Sequence, residues 1–110
     1  MKYSPKYYKD LKKRYPEVAK SYDQLAQDCA KAGSLSKKTQ HLVKLGVAIG
    51  IGSEGDVQNL TTQALADGVS PDEIRHAVLL SVTTAGFPAM IVAMQWVEGS
   101  IFAKGGRTNE

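Results

Sequence analysis

The chain has 110 residues, 43% of them hydrophobic and only 7% aromatic, with alanine, leucine and valine prominent. This is one domain's worth of packed helices rather than a β-sandwich. The net charge of +3 reflects a basic start (Lys2, Lys6, Lys9, Lys12, Lys13, Arg14, Lys20). Glu17, Asp23 and Asp28 follow directly, and no helix-turn-helix, zinc-finger or phosphate-binding motif accompanies the lysines, so a solvated helix face is expected, with neither nucleic acid nor membrane as partner. The single cysteine, Cys29, excludes an internal disulfide and any CxxC pair. With no apolar signal-like start, a cytoplasmic location is expected.

In chain order, Pro5 to Arg14 reads as a short basic helix. Pro16 suits the first position of a second helix. Along it Val18, Tyr22, Leu25 and Cys29, spaced four, three and four, form one apolar stripe. Cys29 is therefore expected as a small buried hydrophobe, and Gly33 as the helix stop. Ser36 caps a third helix that is apolar on nearly every face from Leu42 to Ile51. Such a helix is buried all round, so part of its cover is expected from another subunit. Ser53 to Gly68, SEGDVQNLTTQALADG, supplies a fourth helix with Val57, Leu60, Thr61 and Ala64 inward.

Ser70-Pro71-Asp72-Glu73 is the clearest local signal: a serine cap, a proline at the first helical position, and a glutamate able to reach back to the cap amide. The fifth helix is expected to run to about Ala85. Pro88 opens a sixth that ends near Phe102. The uncharged run Ala77 to Val97 is long enough to span a bilayer, but Gly86-Phe87-Pro88 splits it and Thr83, Thr84 and Gln95 make it polar. The expectation is an all-α compact bundle of about six helices, forming a single domain over 1–110. Its core is placed at 16–102, with a basic N-terminal helix at 1–15 and a flexible tail at 103–110.

Ser53, Glu54 and Asp56 carry two readings. As structure, Ser53-x-x-Asp56 is a capping box with aspartate for glutamate, and both carboxylates complement the helix dipole. As chemistry, the site centres on His41, which shares an inward stripe with Leu45, Ala48 and Ile49. With helices three and four antiparallel, His41 and Leu60 stand at similar heights. Asp56, one turn from Leu60, is the expected partner of a general acid–base histidine. A Ser53–His41–Asp56 triad is disfavoured, because His41 lies well over ~10 Å along the helix from Ser53. Gln58, Leu60 and Met90 are candidate substrate contacts. His76 is expected to face a neighbouring helix or solvent. With two histidines and no HxxxH motif, neither a metal site nor a cofactor is expected.

The order of these segments, LSKKTQHLV, GVAIGIG, SEGDV, ALADGVSPDEI and AVLLSVTTAGFPAMIVAMQWV, resembles the carboxymuconolactone decarboxylase family, which includes the alkylhydroperoxidase D-like proteins. The likeness covers roughly residues 16 to 102. It implies an all-helical subunit that assembles into trimers or hexamers, with a site near the start of the helix beginning at Ser53. The redox members carry Cys-x-x-Cys there, a histidine one turn on and an assisting glutamate. These positions fall on Ser53, Asp56, Leu60 and His41. Glu54-Gly55 keeps a pair seen in decarboxylase-like members, while Gln58 and Leu60 occupy the corresponding histidine positions. A dithiol peroxidase needs a thiolate and a resolving thiol, so that activity is not expected. Two functions remain open: acid–base chemistry on a small organic acid or lactone, or a non-catalytic oligomeric binding or assembly protein.

Overall fold

The structure, a computed structural model, describes residues 5–103. The expected tail therefore lies outside the described residues from position 104 onward. Six helices follow in order: α1 (Pro5–Arg14), α2 (Pro16–Lys31), α3 (Lys37–Ile51), α4 (Glu54–Ala66), α5 (Pro71–Leu80) and, after a 3₁₀ turn at Ser81–Thr83, α6 (Phe87–Ala103). No strand occurs among the described residues, so the fold is all-α as expected. None of the described helices is long and apolar enough to cross a membrane.

The chain divides into two compact units, one holding α1 and α2 and the other α3 to α6. In the first, Pro16 takes the first turn of α2. The Tyr8 hydroxyl donates to Asp23 Oδ1 at 3.0 Å, tying the helices together, and the Lys12 ammonium lies 4.9 Å from the Tyr8 ring centre. The expected burial of the α2 stripe does not occur: Val18, Tyr22 and Leu25 are 58–61% exposed, and Cys29 is exposed as well. Helix α2 buries the small Ala19 instead. Gly33 stands just past the end of α2, where the stop was expected, without a positive φ. The helix ends at Lys31, and Ala32 closes it in the right-handed region with its amide donating to the Cys29 carbonyl at 3.3 Å.

In the second unit α4 packs chiefly on α3 and α6, while α5 closes against α6 and α3. The core comprises Leu45, Ile49, Val57, Ile74, Val78, Val97 and Ile101 with the smaller Ala48, Ala64 and Ala93 between them. Arg75 on α5 clamps Glu98 on α6 through two hydrogen bonds, Nε to Oε2 at 2.6 Å and a terminal nitrogen to Oε1 at 3.0 Å. Helix α5 stops five residues earlier than expected. The β-branched Val82, Thr83 and Thr84 are weak helix formers, and the Ser81 hydroxyl donates to the Val78 carbonyl at 2.6 Å. The chain tightens there and turns at Gly86, whose φ is +102°. Helix α3 buries only its inner side within this subunit; Val43, Val47 and Ile51 are 51, 60 and 71% exposed.

Candidate functional site

His41 sits one turn into α3, on the buried stripe with Leu45, Ala48 and Ile49. The sequence places those residues on one face through spacings of four, three and one, and burial of the aliphatic members draws the imidazole inward with them. His41 itself is 9% exposed. A buried imidazole needs a partner for its polar nitrogens, and the structure supplies one from the far end of α4.

That partner is Asp67. Helix α4 ends in a Schellman turn: the Val69 amide donates to the Ala64 carbonyl at 2.9 Å and the Gly68 amide to the Leu65 carbonyl at 3.1 Å. Gly68 takes φ +88°, a conformation that favours glycine. Burial of Val69 completes the turn and fixes Asp67 at the helix end. His41 Nε2 and Asp67 Oδ2 are 2.6 Å apart. Lys37, one turn before His41, places Nζ 3.6 Å from the same oxygen. The hydrogen bond from His41 is the main cause holding the Asp67 carboxyl below its ordinary range; Lys37 adds to it and partial desolvation opposes it. An ionised carboxylate only accepts, so Nε2 carries the proton in this pair. In neutral His41 that leaves Nδ1 as the acceptor. An oriented imidazole with one nitrogen pinned by a carboxylate is competent to take or give a proton at the other.

The carboxylate expected at His41 was Asp56. The structure instead joins Asp56 to Ser53, whose hydroxyl donates to Oδ2 at 2.9 Å. Cα–Cβ bonds tilt toward the N-terminus of their own helix. His41 therefore leans toward the start of α3, which lies beside the end of the antiparallel α4, and Asp67 leans back to meet it. Asp56 and Asp67 are eleven residues apart in the chain, about 16 Å along a helix.

Around the start of α4 the remaining sequence candidates form a second polar group. Ser53 is buried in extended conformation, and its side chain makes no capping hydrogen bond to the helix backbone. The capping box expected at Ser53 is therefore replaced by the serine–aspartate bond. Gln58 donates from Nε2 to Glu54 Oε2 at 3.2 Å. Leu60 packs against the core and Met90 is part of it. Thus Ser53 meets Asp56 and Glu54 meets Gln58, while His41 is paired at the other end.

His76, on the exposed side of α5, lines a groove of about 550 Å³ between α3 and α5 with Thr39, Leu42, Val43 and Leu80. No group of three or more metal-ligating side chains occurs among the described residues. Asp67 is the site residue that sequence reasoning missed. Its position just before Gly68, where the fourth helix was expected to end, was the available signal.

The sequence model of the carboxymuconolactone decarboxylase family matches residues 16–99. No curated protein and no solved structure matches the chain significantly.

Proposed function

The chain belongs to the carboxymuconolactone decarboxylase family, and we propose that it carries out acid–base chemistry on a small organic acid or lactone, with His41 as the proton-transfer group and Asp67 as its positioning carboxylate. The observation that carries this reading is the 2.6 Å contact between a buried imidazole and an aspartate on the neighbouring helix. Asp67 holds Nε2–H, so the proton exchanged with substrate is the one on Nδ1. In a decarboxylation the substrate's carboxylate leaves as carbon dioxide, and the electron pair left on carbon takes that proton. Lys37, three-quarters exposed beside the pair, supplies positive charge for an incoming carboxylate. Glu54 and Asp56 make the start of α4 a poor place for an anion, which further favours the His41 end. Ser53, Asp56, Glu54 and Gln58 hold the first turn of α4 in this reading, and Leu60 and Met90 pack beneath it.

The functional unit is proposed to be a cytoplasmic homo-oligomer, trimer or hexamer. The dithiol chemistry of the redox relatives has no place in it, because the chain's one cysteine has no second thiol in its own subunit to resolve it.

The test is a thermal-shift screen of small carboxylic acids and lactones on the purified protein, followed by turnover assays on the stabilising compounds. Turnover by the wild type, lost by at least about a hundredfold in His41→Ala as removal of a general acid–base group predicts, supports the reading. Compounds that stabilise the wild type and His41→Ala equally, with no turnover, would reduce His41 to scaffold and leave a binding protein.

A further inference from the structure

We propose that the groove between α3 and α5 binds a small primary ammonium ion with an apolar tail, its head held by Glu73 and His76 and its tail laid along Leu42, Val43, Ala77 and Leu80. The site lies on the side of α3 turned away from His41, and it stands or falls independently of the acid–base reading above.

The groove follows from helical spacing. Thr39, Leu42, Val43 and Gly46 on α3 and Glu73, His76, Ala77 and Leu80 on α5 each recur at three, one and three residues, which keeps each set on one face of its helix. His41 lies on the opposite face of α3, with Leu45, Ala48 and Ile49. The two helices start side by side, since Lys38 in the first turn of α3 acts on the charge of Glu73 in the first turn of α5. Between them lie about 550 Å³, within the range of small-molecule sites.

The groove has a polar end and an apolar length. Glu73 and His76 stand at the start of α5. Leu42 and Ala77 rest on the core and form the floor. Val43 and Leu80, 51 and 60% exposed, form the walls. Leu80 is seven residues beyond Glu73, about 10 Å along the helix, which leaves room for a short alkyl chain or one aromatic ring. At the far end the Ser81 and Thr84 hydroxyls already donate to backbone carbonyls, those of Val78 at 2.6 Å and Ser81 at 3.3 Å, so that end calls for no polar group.

Charge decides the head. The Ser70 amide donates to Glu73 Oε1 at 2.8 Å and is the main cause holding this carboxyl below its ordinary range, with partial desolvation opposing it. The carboxylate is thus ionised and oriented before any ligand arrives. Oε2 has no hydrogen-bond partner among the described residues, and neither has His76. An ammonium group carries three donors and no acceptor, and a neutral imidazole offers one acceptor nitrogen. One N–H therefore meets Oε2, a second meets His76, and the third stays with water. Lys38 lies over Gly68 and does not line the groove. A carboxylate head would face Glu73 with no cation lining the groove to answer it.

The experiment titrates the ¹⁵N-labelled protein with butylamine, hexylamine, hexanol and hexanoate, read by amide chemical shift and by calorimetry. It is run at about pH 8, where an alkylamine is protonated as a lysine is. Glu73→Gln removes the charge but keeps a side chain able to close the capping box. His76→Phe keeps a ring without the nitrogens. Gly46→Leu fills the groove, since a Cβ built there meets nothing within 4 Å, and leucine is the better helix former. Circular dichroism melts establish that each variant is folded. The inference expects saturable hexylamine binding with shifts confined to the facing sides of α3 and α5, and about a two- to fourfold loss for each methylene removed. It expects hexanoate to bind at least about tenfold more weakly, and Glu73→Gln to lose about tenfold for the amine but not for hexanol. His76→Phe should weaken the amine and spare hexanol, and Gly46→Leu should abolish binding of both. Absence of saturable binding, equal affinity for hexylamine and hexanoate, an amine affinity unmoved by Glu73→Gln or His76→Phe, or shifts centred elsewhere overturns the proposal. So does amine binding that appears only once dilution lowers the mass in sedimentation, which would make a second copy of the chain the occupant.

Discussion

The pair of His41 and Asp67 concentrates the physical argument at the scale of single residues. Because the Asp67 carboxyl titrates lower in the folded chain than its ordinary range, folding is linked to its ionisation. The unfolded chain binds this proton at higher pH than the folded chain. The contribution is therefore fully present above the ordinary carboxyl value of about 4 and is lost as pH falls from there through the lowered folded value. Melting temperature recorded from pH 6 to pH 2 should show this loss in the wild type. Asp67→Asn, which cannot ionise, should be less stable at pH 6 and show a shallower acid decline. Parallel curves for the two proteins would mean that the contact carries no linkage. Turnover is the second readout at this residue: in the proposed reaction Asp67→Asn should lower kcat more than it raises KM, because the role proposed for Asp67 is to orient His41 without touching substrate.

Two serines that look alike in sequence behave differently at the scale of helices. Ser70 forms a complete capping box, its Oγ accepting from the Glu73 amide at 3.0 Å and its own amide donating to Glu73 Oε1 at 2.8 Å. Ser53, with aspartate rather than glutamate three residues on, bonds that shorter side chain instead. Ser70→Ala should therefore cost about 0.5–2 kcal/mol of unfolding free energy, measurable by urea denaturation with an unchanged m-value. Gly68→Ala should cost about 1–2 kcal/mol, because its φ of +88° disfavours any side chain. The nearest atom to an added Cβ, Lys38 Cε at 3.6 Å, is only in ordinary contact, so the loss is conformational rather than steric. A cost near zero would mean that the Schellman turn rearranges freely.

These same elements mark what was legible in the sequence. The Ser-Pro-Asp-Glu start, the end of α4 at Gly68, and the inward stripe carrying His41 are local patterns, and local hydrogen bonding fixes them. The Asp67 contact depends on the tilt of side chains on two packed helices, which no single-helix pattern contains. The early end of α5 was hidden by an apolar run in which the weak propensity of Val82, Thr83 and Thr84 outweighed the spacing. The α2 stripe was read correctly as amphipathic, but periodicity says nothing about whether a receiving surface exists.

For the molecule as a whole, the location of the core decides what is indispensable. Every member of the main buried cluster, from Leu45 to Ile101, lies in the unit of α3 to α6, with Val69 in the turn between α4 and α5, and the same unit holds both His41 and Asp67. Ile74 has no exposed surface, and truncating such a residue leaves a cavity as well as removing transfer free energy, so Ile74→Ala should cost about 2–5 kcal/mol. The corresponding claim for α1 and α2 is that their removal leaves the fold standing. Within their own unit they bury Ala19 alone in α2 and are joined by the partly exposed Tyr8–Asp23 bond. A chain beginning at Lys37 should therefore remain helical and melt in one cooperative transition, with His41 still paired to Asp67. Loss of cooperativity or collapse to a molten state would show that the family match beginning at residue 16 reflects a structural need for α2 that the buried cluster of α3 to α6 does not express. Circular dichroism melts of the two chains, read at several concentrations so that dissociation is not mistaken for unfolding, distinguish these outcomes.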